Sequence, residues 1–335
     1  MQKKGKNASI WRLFLKSNSI VLTTHVRPDG DGLASELALY HMLSSMGKKV
    51  DIINQDKTPE MYKWLPGADR IVTLEDGEPA PAERVDMAVL LDCSSRERIG
   101  KVQEYIQGAK LIISLDHHED SECFRDTCLV DTDASSIGEL LYFLIPDIHS
   151  RLTREIATCI YASIMTDTGS FAYSNTTPRV FEVVSNLLEF GVQADSVFRK
   201  TYYNKRINHF RLLAKALSLL RTDDSKRIAY VLLPASVYRR TGAVEEDNEG
   251  ILEVLRGMSG IELIIMLRQI EGNRVKGSLR SLGSVNCNHL AKLFGGGGHP
   301  KASGFVVTGD VRKIGRSVVK TIIEKVKELG WIAAG

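Results

Sequence analysis

The sequence predicts an α/β protein, with an N-terminal parallel-sheet domain followed by a smaller C-terminal α/β domain. Three observations predict this. Short β-rich runs alternate with longer amphipathic segments in the first half, three of those runs end in ionisable clusters, and a second β-containing region begins at Ile228 after a mainly helical stretch. At about 150 residues per domain, a chain of 335 residues makes two domains, each large enough to bury a core.

Taken in order, residues 19–24 (SIVLTT) read as a buried strand. Residues 32–46 carry Leu33, Leu37, Tyr40 and Leu43 at helical spacing until Gly47 ends the run. Residues 50–53, 87–91 and 111–115 are further strands. The spacing then predicts helices over 135–145, 153–162, 178–190 and 208–220. The polar run 221–227 (RTDDSKR) reads as a boundary. Beyond it, residues 261–269 and 274–282 predict a hairpin around Glu271, Gly272 and Asn273, then a helix near 288–293, a glycine run and a last helix over 311–328. No internal repeat is visible.

Composition excludes several classes. Hydrophobic content of 43% with 25% charged residues is that of a globular protein, far from a disordered chain. No apolar run approaches the ~18 residues that span a bilayer. The basic start, Met1 to Lys6, lacks the apolar stretch and cleavage site of a signal peptide, so the expected compartment is the cytoplasm. Cys93, Cys123, Cys128, Cys159 and Cys287 include no CxxC pair, which makes a disulfide scaffold or zinc ribbon improbable and leaves five thiols as the expectation.

Chemistry concentrates where elements end. Residue 24 leads into HVRPDGD, with His25, Asp29 and Asp31; residue 91 leads into DCSS, with Asp92; residue 115 leads into DHHED, with Asp116, His117 and His118; and Asp167 closes a helix in IMTDTGS. In open parallel sheets, ligands bind outside the carboxyl ends of strands, so these clusters should share one crevice. Taken singly, PDGDG is ordinary turn chemistry. Together, imidazoles and carboxylates without thiolate suit manganese and related divalent ions. Six strong ligand candidates are too many for one catalytic ion with open positions. The economical reading is two ions, ~3.5–4 Å apart, clamping the attacking and leaving oxygens of a phosphoryl displacement. Four of the eight histidines fall in motifs, while His41, His149, His209 and His289 read as surface or satisfied core residues.

The second constellation is Gly295 to Gly298 followed by His299, Pro300, Lys301, Ala302, Ser303 and Gly304. Successive glycines let backbone N–H groups cradle an anion. A flexible linker is the alternative. Against it stand the phosphate-binding groups on the preceding hairpin: Arg268, Arg274, Lys276, Arg280 and Ser281.

These motifs together resemble the DHH phosphoesterase family, named for the triplet at residues 116–118. HVRPDGDGLAS, LLDCSS, SLDHHED and IMTDTGSF match four motifs of its N-terminal domain, and SLRS with GGGGHPKASGF resembles the DHH-associated C-terminal domain. Ala34 and Ser303 depart from the residues common there, at no ligand position. The resemblance implies a DHH metal-binding catalytic domain over residues 8–195, a helical connector over 196–226 and a substrate-binding domain over 227–332, with the active site in the cleft between the two domains. It also implies His25 and Asp29 on a first manganese, Asp31, His117 and Asp167 on a second, and Asp92 bridging both; magnesium or cobalt are substitutes. Asp116 is then implied to orient an imidazole and His118 to act beside the substrate, while Arg280, Ser281, Gly296, Gly297, Gly298 and His299 hold nucleotide.

Within the family the two-domain layout is similar to the nanoRNases, which degrade very short RNAs and dephosphorylate 3′-phosphoadenosine 5′-phosphate (pAp). The expected partners are therefore short RNA oligonucleotides or dinucleotides, with no membrane and with a homodimer as the candidate assembly. A cyclic di-AMP or pApA phosphodiesterase is the alternative enzyme. An inactive nucleotide sensor would show a lost ligand, and none is lost. A short chain with 7% aromatics lacks the stacking platform that long single strands need. Charge divides to match. After Ser225 the chain has 17 basic and 10 acidic residues, net +7, and up to Ser225 it has 27 and 31, net −4.

Overall fold

The computed structural model of the chain describes residues 2–74, 85–118, 121 and 127–332. It forms two compact units, Met1–Asn204 and Lys205–Gly335.

In the first unit, β1 (Ser19–Thr23), β2 (Lys49–Asn54), β3 (Ile71–Thr73), β4 (Met87–Leu91), β5 (Leu111–Asp116) and β6 (Thr127–Val130) form one sheet in the order β3-β2-β1-β4-β5-β6. All its pairings are parallel. Ile20, Leu22, Met87, Val89, Leu91, Ile113 and Leu115 face one buried core, and Val21, Ala88, Leu90 and Ile112 face another. Burial on both faces is why these strands read as continuous apolar runs without alternation. Helices α1 (Gln2–Lys16), α2 (Gly30–Ser45), α3 (Val102–Tyr105), α4 (Ile137–Leu144), α5 (Arg154–Asp167), α6 (Pro178–Glu189) and α7 (Ala194–Tyr202) accompany the sheet. The strand order reverses between β1 and β4, and at such a switch point a crevice opens at the carboxyl ends of the strands.

Helix α2 starts two residues before its periodicity does because Asp29 caps it, Oδ1 accepting from the N–H groups of Asp31 and Gly32 at 3.1 Å each. Ser136, Thr153 and Thr177 cap α4, α5 and α6 in the same way. The strands β3 and β6 and the helices α1 and α7 were not anticipated from the sequence; three- and four-residue strands carry too little periodicity to read.

In the second unit, α8 (Ile207–Leu219), β7 (Arg221–Thr222), β8 (Ile228–Leu233), α9 (Ala235–Thr241), α10 (Ile251–Arg256), β9 (Leu263–Ile270), β10 (Arg274–Ser281), α11 (Cys287–Lys292), β11 (Gly297–Gly298), β12 (Ala302–Thr308) and α12 (Val311–Glu328) follow one another. The sheet order is β11-β12-β10-β9-β8-β7, antiparallel except for β8 with β9. One face packs Leu263, Ile265, Leu267, Val275 and Leu279 under α11 and α12, and the other packs Ala229, Val231, Ile264 and Met266 under α8 and α10. Of the polar run 221–227, the first two residues form β7 and the rest join it to β8 inside this unit.

Cys93, Cys159 and Cys287 are free and buried, but Cys128 is disulfide-bonded, which corrects the expectation of five thiols. Sequence spacing does not report the Cβ separation on which a disulfide depends. Cys123 lies outside the described residues, as do Glu119 and Asp120 of the third motif.

Close helix packing depends on Gly138, where a Cβ would fall 2.3 Å from Ser163 Oγ and 3.0 Å from the Ile160 carbonyl oxygen. Gly138→Ala should therefore destabilise the protein by about 1–3 kcal/mol, the cost of overpacking. Urea unfolding measures this, and an unchanged midpoint would show that α4 and α5 separate freely.

Candidate metal centre

Each expected ligand in the first unit is delivered by the end of an element. At the switch point Thr24 Oγ1 donates to the Leu91 carbonyl at 2.9 Å, tying the end of β1 to the end of β4. His25 follows on one side and Asp92 on the other. Asp92 takes left-handed backbone (φ 55°) and anchors its N–H on the Leu115 carbonyl at 3.0 Å. Asp tolerates this conformation better than most side chains. Asp116 ends β5, and Asp167 ends α5.

The structure brings His25, Asp29 and Asp92 together as one cluster and Asp31, His117 and Asp167 as another, while Asp92 also stands beside His117 and His118. His25 Nε2 lies 3.6 Å from Asp29 Oδ2 and 3.4 Å from Asp92 Oδ2. His117 Nε2 lies 3.6 Å from Asp31 Oδ2, 3.6 Å from Asp92 Oδ1 and 3.5 Å from Asp167 Oδ2. These separations are long for hydrogen bonds. They suit donors that share an ion, since ligands each about 2.0–2.2 Å from a tetrahedral cation stand ~3.4 Å apart. Asp92 sends one oxygen to each cluster.

Both imidazoles have their other nitrogen occupied. His25 Nδ1 lies 2.9 Å from the Val26 carbonyl oxygen and His117 Nδ1 lies 3.2 Å from that of Ala134. An Nδ1–H donated to each carbonyl leaves the Nε2 lone pair on the carboxylate side, the tautomer a metal needs. Asp92 Oδ1 and His117 Nε2 are both buried without a hydrogen-bond partner among the described residues. An orphaned acceptor facing an orphaned nitrogen is the mark of a cation site.

His118 differs. Its Nδ1 is 2.8 Å from Asp116 Oδ1, which also accepts the N–H groups of His117 and His118 at 2.7 and 3.2 Å. Asp116 thus orients the His118 ring and raises its pKa, while His118 outweighs burial and holds Asp116 low. Cys93 is no rival ligand: burial pushes its thiol up to about 12, and its Sγ donates to the Ser95 carbonyl.

Charge is strongly coupled across the clusters. Burial disfavours a charged His25, yet Asp29 and Asp92 outweigh it and raise the ring to about 10. Burial is likewise outweighed at His117, raised to about 10 by Asp92, Asp31 and Asp167. Burial together with Asp92 and Asp167 drives Asp31 upward, and burial raises Asp167 to about 6. Asp92 stays low because His117 and His25 overcome its burial.

Several supporting residues had no role in the sequence reading. Both oxygens of Asp31 accept the Ile137 N–H, at 2.9 and 3.1 Å, and its Oδ1 also accepts from Ser163 Oγ at 2.5 Å and Ser35 Oγ at 3.2 Å. The segment bearing Ile137 is fixed by Glu139, whose Oε2 accepts the Ser135 N–H at 2.6 Å while Oε1 pairs with Arg179. The S-x-x-E spacing of Ser136 and Glu139 is the signal in the sequence that marks this helix start.

In the second unit, Arg280 pairs in register with Ala302, and the Ser281 N–H donates to the Lys301 carbonyl at 2.9 Å. Both therefore lie beside the turn in which His299 and Ala302 exchange backbone hydrogen bonds. Ser281 is buried and His299 exposed. The N–H groups of Gly295 and Gly296 are spent on Lys292 and Ala291, while Gly297 and Gly298 pair with β12. A Cβ at Gly296 would fall 2.2 Å from the Gly304 carbonyl oxygen, so this glycine is set first by close strand approach. Arg268 and Arg274 stand apart from this set, toward the opposite end of the β9–β10 hairpin. The four histidines outside the motifs behave as expected: His41, His149 and His209 are hydrogen-bonded to Pro66, Tyr142 and Asp247, and His289 is exposed.

Comparison with known proteins matches one family model to each unit. The model of the DHH family, N-terminal domain, matches residues 19–164, and that of the DHHA1 domain matches residues 228–329. A Thermus thermophilus protein named bifunctional oligoribonuclease and PAP phosphatase NrnA is 30% identical, covering 93% of this chain and 92% of its own. A Bacillus subtilis protein of the same name is 29% identical, covering 86% of this chain and 88% of its own. The crystal structure of an exopolyphosphatase-related protein from Bacteroides fragilis superimposes with a TM-score of 0.92 at 30% identity, covering 97% of each chain.

Two outcomes follow from the geometry. Groups whose pKa is raised by folding stabilise the fold at low pH and lose that contribution as pH rises: Asp167 up to about 6, His25 and His117 up to about 10. The melting temperature of chelator-treated protein should fall from pH 6.5 to pH 9.5. Saturating manganese should remove the fall, because ligation needs the imidazoles neutral; a melting temperature rising with pH in chelator would contradict the clusters. Ser163→Ala should weaken manganese binding about 10- to 100-fold in calorimetric titration, as loss of a group holding a ligand does.

Proposed function

The chain belongs to the DHH family, and from that membership and the paired acidic–histidine clusters we propose that it hydrolyses phosphoester bonds in very short oligoribonucleotides, releasing mononucleotides. Linear dinucleotides and pAp are the expected substrates, in keeping with the names of the two relatives. The observation that carries the reading is Asp92, with one oxygen toward each cluster and Oδ1 buried without a partner.

In this reading His25, Asp29 and Asp92 hold one divalent ion, and Asp31, His117, Asp167 and Asp92 hold the other. Manganese is the proposed metal, with magnesium or cobalt as substitutes, because the donors are carboxylate and imidazole. Bound there, two cations supply Lewis-acid polarisation of the phosphoryl oxygens and a nucleophilic water near neutral pH. The chain's own residues do the rest. Asp31 is held by Ile137 and Ser163, so it presents one fixed oxygen. His118, steered by Asp116, which also raises its pKa, offers its other ring nitrogen to the phosphate or to the leaving oxygen.

Residues 8–195 form the proposed catalytic domain, 196–226 the connector and 227–332 the substrate-holding domain. Arg280, Ser281 and His299, with the turn at Gly296, Gly297 and Gly298, are the proposed nucleotide-holding set of the second unit. The substrates are fragments of cellular RNA, so the proposed place of action is the cytoplasm. No helix among the described residues is long and apolar enough to cross a membrane.

Asp92→Ala should abolish hydrolysis of a linear diribonucleotide with manganese, and retained activity would refute the shared-carboxylate arrangement. Arg280→Ala should raise KM roughly tenfold with kcat little changed, as loss of binding that is equal in the ground and transition states does. A panel of diribonucleotide, longer RNA, pAp and cyclic di-AMP, read by product length, tests the substrate; fastest cleavage of the cyclic compound would replace this reading with a cyclic-dinucleotide phosphodiesterase.

A further inference from the structure

The arginines that the sequence groups with the glycine run are divided by the fold. Arg280 lies near the end of β10 beside the turn at His299, whereas Arg274 begins that strand, six residues and about 20 Å away at ~3.3 Å per residue. At the Arg274 end, the second unit has an open-mouthed cavity of about 680 Å³. Pockets of about 300–1,000 Å³ hold small organic ligands.

Arg268 is the unusual member of its lining. On β9 it follows Ile264 and Met266 on the face that packs beneath α8 and α10, and its side chain is only 7% exposed. A cation there is costly unless it is matched by an anion. Glu245 Oε1 meets Arg268 Nη2 at 2.6 Å, but that carboxylate is itself 64% exposed, and Arg268 also lies near enough to Tyr238 to act on its hydroxyl. A guanidinium has five N–H donors, and the bond to Glu245 uses one of them. Arg239 and Arg274 line the same cavity, and three guanidinium groups there outnumber the carboxylates of Glu245 and Glu271. The remaining wall includes Ile270 and the ring of Tyr238, whose hydroxyl is fixed on Asn248 Oδ1 at 2.6 Å. A planar fork of donors recognises phosphate, and a fixed aromatic ring beside it offers a face to a base or ribose.

We propose that this cavity is a second anion site, separate from the metal clusters and from the Arg280–His299 set, which binds a nucleoside monophosphate. The phosphate takes the place of Glu245 on Arg268 and gains Arg239 and Arg274, and the nucleoside lies against Tyr238 and Ile270. Glu245 is the internal competitor that keeps the buried cation matched when the cavity is empty. The site is built from second-unit residues alone, so it does not depend on which substrate the metal centre takes.

The test is calorimetric titration of the full-length protein, with metals chelated so that the acidic clusters cannot bind phosphate through a cation. The probes are adenosine 5′-monophosphate, inorganic phosphate and adenosine. The monophosphate should bind saturably, phosphate more weakly and adenosine most weakly. Arg239→Ala and Arg274→Ala should each weaken the monophosphate roughly tenfold, the scale of one charge-assisted hydrogen bond. Glu245→Gln should tighten it severalfold, because it removes the competing charge and keeps an acceptor for Arg268; a purely structural ion pair would lose stability with no gain in affinity, and melting curves of each variant separate the two. Absence of binding, weaker or unchanged binding by Glu245→Gln, or loss of the signal in Arg280→Ala with none in Arg239→Ala would each overturn the site. Hydrolysis of a diribonucleotide by the manganese-loaded enzyme is assayed separately, so its failure would remove the proposed activity and leave this titration standing.

Discussion

Asp92 has an imidazole near each of its oxygens, and the arrangement of the first unit follows from keeping that carboxylate charged and buried. Removing a carboxylate from water is costly unless opposite charge and hydrogen bonds compensate. The histidines on either side supply part of that compensation without metal, which is why His25 and His117 hold their protons so far above the ordinary range. Asp31 and Asp167 bear the opposite strain, crowded among like charges and pushed toward the neutral acid. One physical change relieves both: positive charge that is not a proton. The clusters are thus an electrostatic problem that divalent cations solve.

The sheet makes that concentration of charge affordable by spreading its sources. No single element carries more than a few of the groups; β1, β4, β5 and α5 each present theirs at an end, where backbone direction rather than side-chain packing sets the position. The supports are correspondingly local. Asp29 both caps α2 and faces His25, so helix start and candidate ligand are fixed by one side chain. Asp31 is fixed from α4 and α5, through an amide and a serine hydroxyl whose own positions depend on Gly138 and on the Glu139–Arg179 pair.

The second unit uses the same physics with the sign reversed. Its mixed sheet buries both faces under helices but places Arg280 beside the His299 turn and gathers three guanidinium groups around the Arg268 cavity. The glycine run illustrates how one pattern serves two constraints. Its amides looked free to cradle an anion, yet some already bond within the chain, and Gly296 is required because β12 comes within van der Waals distance of where a side chain would stand.

By itself the sequence determined the α/β class, the core strands β1, β2, β4 and β5, and the eight residues of the acidic–histidine constellation. Each of these is written in short-range pattern: apolar runs for buried strands, Asp and Gly at a helix start, ionisable residues where a strand stops. It could not read β3 or β7, too short to have a period, nor the disulfide at Cys128, which depends on distance. Only the tertiary structure decided which oxygen of Asp92 faces which histidine, that Ser163 and Ile137 hold Asp31, and that Arg268 parts company with Arg280. Those are relations between residues dozens of positions apart in the chain or toward opposite ends of one hairpin. Local spacing carries no information about them until the sheet order and register bring the elements together.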